Sequence, residues 1–198
     1  MNAISNEGLK ILFTEARTQQ GWQHKEVGDQ TLRDIYDLMK WGPTSANAAP
    51  ARIIFVKNGT QKEKMLSCLM PVNVEKAKSA PVTAIIAFDE KFYDLIPQLM
   101  PIPAAAGYRD MFAGNKALSE ITAMRNSSLQ GGYFILAARA LGLDCTPMSG
   151  FDNQKMDEAF FSGTSWKSNF ICNLGYGDPA KLRPRGPRLG FEEACRIV

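Results

Sequence analysis

Gly42-Pro43-Thr44-Ser45-Ala46-Asn47-Ala48-Ala49-Pro50-Ala51-Arg52 sets small hydroxyl, amide and glycine groups between two regular elements, whose types decide the fold class. On the N-terminal side, Leu32, Ile35, Tyr36, Leu38 and Met39 recur at helical spacing. Thr31 and Asp34 are placed as an N-terminal capping pair for this helix, and Gly42-Pro43 as its stop. On the C-terminal side, Arg52-Ile53-Ile54-Phe55-Val56-Lys57 is β-branched and aromatic, the pattern of a buried strand closed by Asn58-Gly59. Alone, the stretch reads equally as an ordinary helix-to-strand connection or as a loop suited to the flat polar edge of a large ligand.

Working outward, Asn6 to Ala16 is expected to be a helix with an apolar stripe of Leu9, Ile11, Leu12 and Phe13. Gln61 to Met70 reads as a short helix ended by Pro71, and Pro81 to Phe88 is the clearest strand, its proline fitting a strand start. From Asp89 to about Asn115 the pattern is broken by Pro97, Pro101, Pro103 and Gly107, which predicts a long irregular excursion of the kind that forms lids. Helicity returns at about Ser119, with Leu129, Tyr133, Leu136, Ala137, Ala140 and Leu141 as the apolar face and Gly142 as the stop. Gly131-Gly132 inside it marks a close approach by another backbone or a ligand. Leu143 to Asp152 reads as turn-rich, Asp152 caps a helix carrying Met156, Ala159 and Phe160, and Asn169 to Tyr176 is a third strand. Long helices with few, well-separated strands indicate an α+β protein, a helix layer on a small sheet.

A chain of 198 residues is expected to form a single domain, residues 1–198, with a real hydrophobic core. With 45% hydrophobic and 22% charged residues, nothing approaches the roughly 20 apolar residues of a membrane span. Met1 to Glu7 has neither a basic start nor an apolar core, so the expected compartment is the cytoplasm and no membrane partner is expected. Cys68, Cys145, Cys172 and Cys195 form no Cys-x-x-Cys pair and are expected to be buried free thiols. His24 is the only histidine, which leaves little for a histidine triad or a multi-histidine metal centre, and no metal is expected. A net charge of +3 is too small for a nucleic-acid binder that works by phosphate neutralisation.

Positive charge is instead local. Ala16-Arg17-Thr18 places a cation beside a hydroxyl, and Lys181-Leu182-Arg183-Pro184-Arg185-Gly186-Pro187-Arg188 holds four cations stiffened by two prolines. Guanidinium groups bind phosphate through paired, charge-assisted hydrogen bonds, so this segment suits a nucleotide-like ligand; the other reading is a solvated basic tail. Gly175-Tyr176-Gly177 lacks the third glycine and the strand-to-helix setting of a dinucleotide fold and reads as a strand exit.

These segments, with Met148-Ser149-Gly150-Phe151-Asp152, occur in the order and spacing of the nitroreductase superfamily of flavoproteins, which the chain resembles throughout its length. More narrowly, Ala16-Arg17-Thr18 with Trp22, Lys40 to Asn47, Asn126-Ser127-Ser128-Leu129-Gln130-Gly131-Gly132 and Gly175-Tyr176-Gly177-Asp178-Pro179 resemble the malonic semialdehyde reductase branch, whose founding member serves pyrimidine breakdown. The resemblance implies a small, mostly antiparallel central sheet flanked by helices, in an intertwined homodimer with FMN between the subunits. It implies that Arg17 and Thr18 meet the FMN phosphate and ribityl chain, that Arg185 and Arg188 complete the phosphate clamp, and that Pro43, Thr44, Ser45 and Asn47 of the other subunit line the flavin edge. Asn73 falls near an amide that contacts the pyrimidine ring, and Ser149 with Gly150 falls by the flavin N5 region. Gln20 stands where many members carry a lysine near the flavin, and Ser149 where the nitroaromatic-reducing branch has an acid.

The implied activity is ping-pong hydride transfer from NADH or NADPH through FMN to malonic semialdehyde, giving 3-hydroxypropanoate. The chemistry is the flavin's, with no catalytic side chain expected. Arg109 or Arg125 is the expected partner of the substrate carboxylate. A broad reductase of nitroaromatics or quinones on the same fold, a flavin-binding module without turnover, and thiol catalysis by Cys145 are the alternatives.

Overall fold

The computed structural model describes residues 3–198 and begins with a short helix, α1 (Asn6–Leu9), where the Ser5 hydroxyl accepts from Gly8 N at 3.1 Å. The chain then widens into a π-helical turn over Lys10–Thr14. The stripe expected to anchor this segment does not reach the core: Leu9, Ile11 and Phe13 are exposed and Leu12 is half-buried. A further helix, α2 (Asp29–Met39), starts earlier than the sequence pattern suggests. Gly28 is its N-cap, and Asp34 accepts from Gln30 Nε2 at 2.8 Å instead of pairing with Thr31 in a cap. Leu32, Ile35 and Met39 of α2 are buried.

After the loop come β1 (Ala51–Val56), α3 (Thr60–Leu66), α4 (Pro71–Ser79) and β2 (Val82–Asp89). Pro71 therefore opens a helix instead of only ending one, since a proline in the first turn gives up an N–H that has no helical acceptor. The same rule overturns the irregular excursion. Residues 89–115 form a 3-10 turn (Phe92–Leu95), α5 (Ile96–Leu99) with Pro97 in its first turn, and α6 (Ala105–Ala113). Phe92, Ile96, Ala105 and Phe112 from this segment form a buried cluster with Phe88 and Ala123.

Asn115 caps α7 (Lys116–Ala140), its side chain accepting from Leu118 N, and this helix is roughly 37 Å long. Its buried face matches the apolar stripe read from the sequence only in part: Ala137 is buried and Tyr133 and Leu136 are half-buried. Leu129, Ala140 and Leu141 are exposed, while Ser119, Thr122, Asn126, Gln130, Phe134 and Ala138 point inward. Gly131 is a close approach, but of a side chain: a Cβ there would strike the Phe170 ring, whereas Gly132 faces open space. Gly142, at φ 79°, ends the helix as expected.

The passage read as turn-rich contains a fourth strand, β3 (Asp144–Met148). Pro147 disguises it, and the proline is tolerated because β3 is an edge strand. There follow α8 (Asn153–Phe160), capped as expected by Asp152 accepting from Lys155 N at 3.1 Å, then β4 (Trp166–Gly175) and a short α9 (Phe191–Ala194). The four strands pair antiparallel in the order β1-β2-β4-β3.

Strand alternation divides the core in two. Ala84 and Ile86 of β2 face α2 and α7, with Phe134, Cys172 and Leu174; Ile85 and Ala87 face α3, α4 and α8, with Met65, Met148, Met156 and Ile171. Both faces being covered, every residue of β2 is buried, which is why Ala84 to Phe88 reads as an unbroken apolar run. Cys68, Cys145 and Cys172 are buried free thiols; Cys195 is exposed, against expectation, because it lies on the C-terminal segment outside the core. Among the described residues no helix is long and apolar enough to cross a membrane.

Lys62 is buried on α3 and donates from Nζ to the carbonyl of Ala80. Burial pushes its pKa below the ordinary 10.5. The folded chain thus holds this proton less tightly than the unfolded chain, so stability rises with pH between the depressed folded value and 10.5, and the burial cost is fully present below that window. Urea midpoints of the protein and of Lys62→Met, measured from about pH 8 to about pH 11, should show this rise only in the former. Parallel profiles would contradict it.

Candidate functional site

Two groups of polar residues stand at opposite edges of the sheet. The first is built on β3. Thr18 bridges to Cys145, and Thr146 Oγ1 donates to Gln19 O at 2.7 Å, which fastens the segment after α1 along the free edge of that strand. Arg17 is half-buried and donates to the carbonyl of Arg183; Arg185 Nη2 donates to Thr14 O at 2.8 Å and Ala16 O at 3.1 Å. The C-terminal basic segment is therefore tethered to the end of the first helix, while Arg183 to Arg188 stay exposed to solvent. Arg188 is not part of this contact: it donates to its own neighbours Gly186 O and Pro187 O. Among the described residues no carboxylate pairs with Arg17, Arg183, Arg185 or Arg188, leaving an unneutralised cationic corner.

At the far end of β3, Ser149 is exposed and Gly150 half-buried. The Gly150 carbonyl accepts from Met70 N and from Asn73 Nδ2, both at 3.0 Å. A Cβ on Gly150 would lie 2.5 Å from Asn73 Nδ2, so any side chain there would push the Asn73 amide from this seat. The fold thus joins Asn73, Ser149 and Gly150, and lays them about 14 Å along β3 from Thr18, four residue steps at the usual strand rise. Gln20 is half-buried next to Gln19.

The second group is the loop before β1. Ala46, Asn47 and Ala49 have φ of 51°, 48° and 39°, three non-glycine residues in left-handed conformation within four positions. Each costs on the order of 1–3 kcal/mol and persists only where its surroundings impose it. Those surroundings are explicit. Ser45 N donates to Asn126 Oδ1 at 2.9 Å, Ala49 N to Thr44 Oγ1 at 3.1 Å, Ala51 N to Gln130 Oε1 at 2.9 Å, and Asn47 Nδ2 to Leu99 O at 2.7 Å. Tyr133 OH donates to Pro43 O at 3.1 Å. Arg52 Nη1 holds Ala49 O and Ala51 O, and its Nη2 pairs with Asp89 at 2.8 Å.

Within one chain these two groups do not meet. The loop leads into the edge strand β1 and Thr18 lies outside β3 on the opposite edge, four strand spacings or about 19 Å across. They are also offset along the strands: Ala51 pairs with Phe88 opposite Lys167, whereas Cys145 pairs with Leu174, seven residues or roughly 24 Å further on. A groove of about 920 Å³ between α2 and β1 is lined by Arg33, Tyr36, Arg52, Phe55 and Trp166, and by none of the residues expected to bind the ligand.

Residues to which the sequence assigned no role are Gln19, Asn126 and Gln130, the last two quoted only as part of a motif, and the Arg52–Asp89 pair. Gln19 is buried against Gly177, and its Oε1 has no hydrogen-bond partner. Ser119, Thr122, Asn126 and Gln130 recur at helical spacing, a polar stripe that would have revealed the buried face of α7. Thiol chemistry at Cys145 has no support: its thiol is fully buried beside Ile135 O while His24 is exposed. At the adjacent Cys172, the hydrogen bond with Cys145 and burial hold the thiol well above its usual pKa, so it stays protonated.

The family model described as the nitroreductase family matches residues 14–176. Among solved structures, a protein of Bacillus subtilis assigned as a nitroreductase superposes with a TM-score of 0.88 at 19% identity, covering 98% of this chain and 100% of that one. A protein of Exiguobacterium sibiricum assigned as a nitroreductase, in complex with FMN, gives 0.86 at 15% identity, with 100% of both chains covered. A protein of Staphylococcus epidermidis assigned as an NAD(P)H:FMN oxidoreductase gives 0.83 at 18% identity, covering 100% of this chain and 98% of that one. At these identities the likeness is one of fold.

Proposed function

The chain belongs to the nitroreductase family, and from that premise we propose that it is an FMN-dependent oxidoreductase that takes electrons from NADH or NADPH and reduces malonic semialdehyde to 3-hydroxypropanoate. The observation that carries the reading is the division of the site between opposite edges of the sheet. A ligand that touches both the cationic corner and the strained loop needs two copies of the chain, which accords with a family whose members are typically FMN-carrying homodimers. Exposed apolar side chains suit burial between such copies, notably Phe13, Trp41 at 81% and Val72 at 72% exposure, and Ile121 and Met124 on α7. The functional unit is residues 1–198 as one FMN-binding domain.

The residues present fit FMN. Arg17 and Arg185, without carboxylate partners, take the phosphate through charge-assisted bonds, and Arg188 joins them by turning from its own carbonyls. Thr18 and Gln20 serve the ribityl hydroxyls, with the unpartnered Gln19 oxygen close behind. Asn73, Ser149 and the Gly150 backbone face the polar edge of the ring, and Pro43, Thr44, Ser45 and Asn47 of the second copy close over it. When bound, FMN supplies reversible two-electron chemistry, accepting a hydride from the nicotinamide and giving it up to an acceptor. The protein's part is to orient donor and acceptor in turn over one ring face, to exclude water, and to fix the acceptor's charge.

For the acceptor, two arginines are candidates. Arg109 is already paired with Asp94 at 3.7 Å and Asp110 at 3.1 Å, whereas Arg125 is exposed and pairs with no carboxylate among the described residues. Arg125 also stands next to Asn126, the anchor of the loop, and is the better seat for a substrate carboxylate. The fitting compartment is the cytoplasm, where free thiols such as Cys68, Cys145 and Cys172 persist.

The visible spectrum of the purified protein, then anaerobic mixing with NADH and with NADPH, tests the first half: a yellow protein that bleaches supports it, and a protein that refuses FMN ends it. Steady-state rates with malonic semialdehyde, a nitroaromatic and a quinone test the second. No turnover of the aldehyde, with turnover of the others, would leave the family activity and remove this substrate.

A further inference from the structure

We propose that Asn126 is a positioning residue for the loop that faces the flavin, acting through the backbone of Ser45; the inference rests on the FMN reading above. Asn126 is buried in the middle of α7, and both ends of its amide are used: Oδ1 accepts from Ser45 N and Nδ2 donates to Thr122 O, each at 2.9 Å. One turn further on, buried Gln130 accepts from Ala51 N. The two amides lie on one helix face and hold the two ends of the segment that contains Ala46, Asn47 and Ala49, the left-handed residues.

Packing does not explain an asparagine at this place. A leucine has the same branched skeleton, but would leave Ser45 N–H without an acceptor and release the strained turn. An amide there is explained by the loop it holds. Its acceptor sets the direction of the Ser45 peptide, and so the placement of Thr44, Ser45 and Asn47 toward the ligand. Arg52 fastens the other flank through Ala49 O, so the loop is fixed before any ligand arrives, and ligand binding need not bear the cost of ordering it.

The test uses the full chain with Asn126→Ala and Asn126→Asp. In the alanine variant FMN affinity is expected to fall about tenfold, the visible spectrum of the bound flavin to shift, and amide exchange at residues 44–49 of the FMN-free protein to accelerate. The aspartate variant separates positioning from packing. Its neutral carboxyl reproduces both bonds, accepting from Ser45 N and donating to Thr122 O, whereas the carboxylate has no proton to donate and sets its charge against that carbonyl. Burial raises the pKa of such a carboxyl. FMN affinity of Asn126→Asp, taken relative to the unsubstituted protein at each pH so that the titration of the FMN phosphate cancels, is therefore expected to approach parity at low pH and to fall as pH rises through that value.

Wild-type FMN affinity and loop exchange in Asn126→Ala, with only the melting temperature lowered, would overturn the proposal. So would an aspartate variant whose pH profile runs parallel to that of the unsubstituted protein. Failure of the unsubstituted protein to bind FMN would count against the functional reading instead. In that event the exchange rate at Ser45 in the FMN-free protein still decides whether Asn126 holds the loop.

Discussion

Arg17→Ala is expected to weaken FMN binding by about 10- to 100-fold while leaving the affinity for riboflavin, which lacks the phosphate, nearly unchanged. Charge-assisted hydrogen bonds are worth about 1.5–3 kcal/mol when a partner is removed. Arg17 has no carboxylate to neutralise it, and Arg185 stands beside it on the carbonyls of Thr14 and Ala16, so the corner is prepared for an anion. Arg17→Lys should recover only part of the loss, because an ammonium is a point charge and cannot make the paired bonds of a guanidinium. Titration of the apoprotein with each flavin, followed by fluorescence, reads both quantities. Equal losses for FMN and riboflavin would show that Arg17 only tethers the tail through the Arg183 carbonyl and does not meet the phosphate.

Phe134→Ala is expected to cost about 3–5 kcal/mol, the range for truncating a fully buried aromatic ring. Phe134 is wholly inaccessible and stacks on Phe55 with ring centroids 6.1 Å apart, in the cluster that joins α7 to the sheet. At the usual sensitivity of a chain this size, the melting temperature falls by roughly 10 °C. Thermal and urea unfolding would measure it. A loss under about 1 kcal/mol would mean that the interface between α7 and the sheet is not tightly packed, and that α7 cannot be the rigid base on which the strained loop rests.

How much of this was legible beforehand varied by element. β2 announced itself because both its faces are covered, so only Thr83, whose hydroxyl donates to Asn173 Oδ1, interrupts the apolar run from Val82 to Phe88. β3 did not, since Pro147 and Thr146 give an edge strand of five residues the composition of a turn. The segment from Asp89 to Asn115 was misread because proline is a breaker in a helix interior and a starter in its first turn, and composition alone does not say which position it holds. On α7, the ordinary rule holds at Ala123, Phe134, Ala137 and Ala138, but Ser119, Thr122, Asn126 and Gln130 are buried on the same face while Ile121, Met124 and Leu129 are exposed. The inner face serves a loop's backbone, and the outer one is left for another surface.

What the linear chain determined by itself was its stock of functional groups: guanidinium groups at Arg17 and Arg185, and hydroxyls and amides at Thr44, Ser45 and Asn47. These are properties of side-chain types, and they survive any arrangement of the backbone. What only the tertiary structure decided was where those groups stand relative to one another. Strand order separates the loop from the cationic corner by the width of the sheet, and the carbonyls and amides that hold Ala46, Asn47 and Ala49 left-handed come from α7 and β1. Left-handed backbone in alanine has no local cause, because its methyl group offers no compensating bond. It arises only from contacts distant in sequence, and for that reason local sequence cannot forecast it.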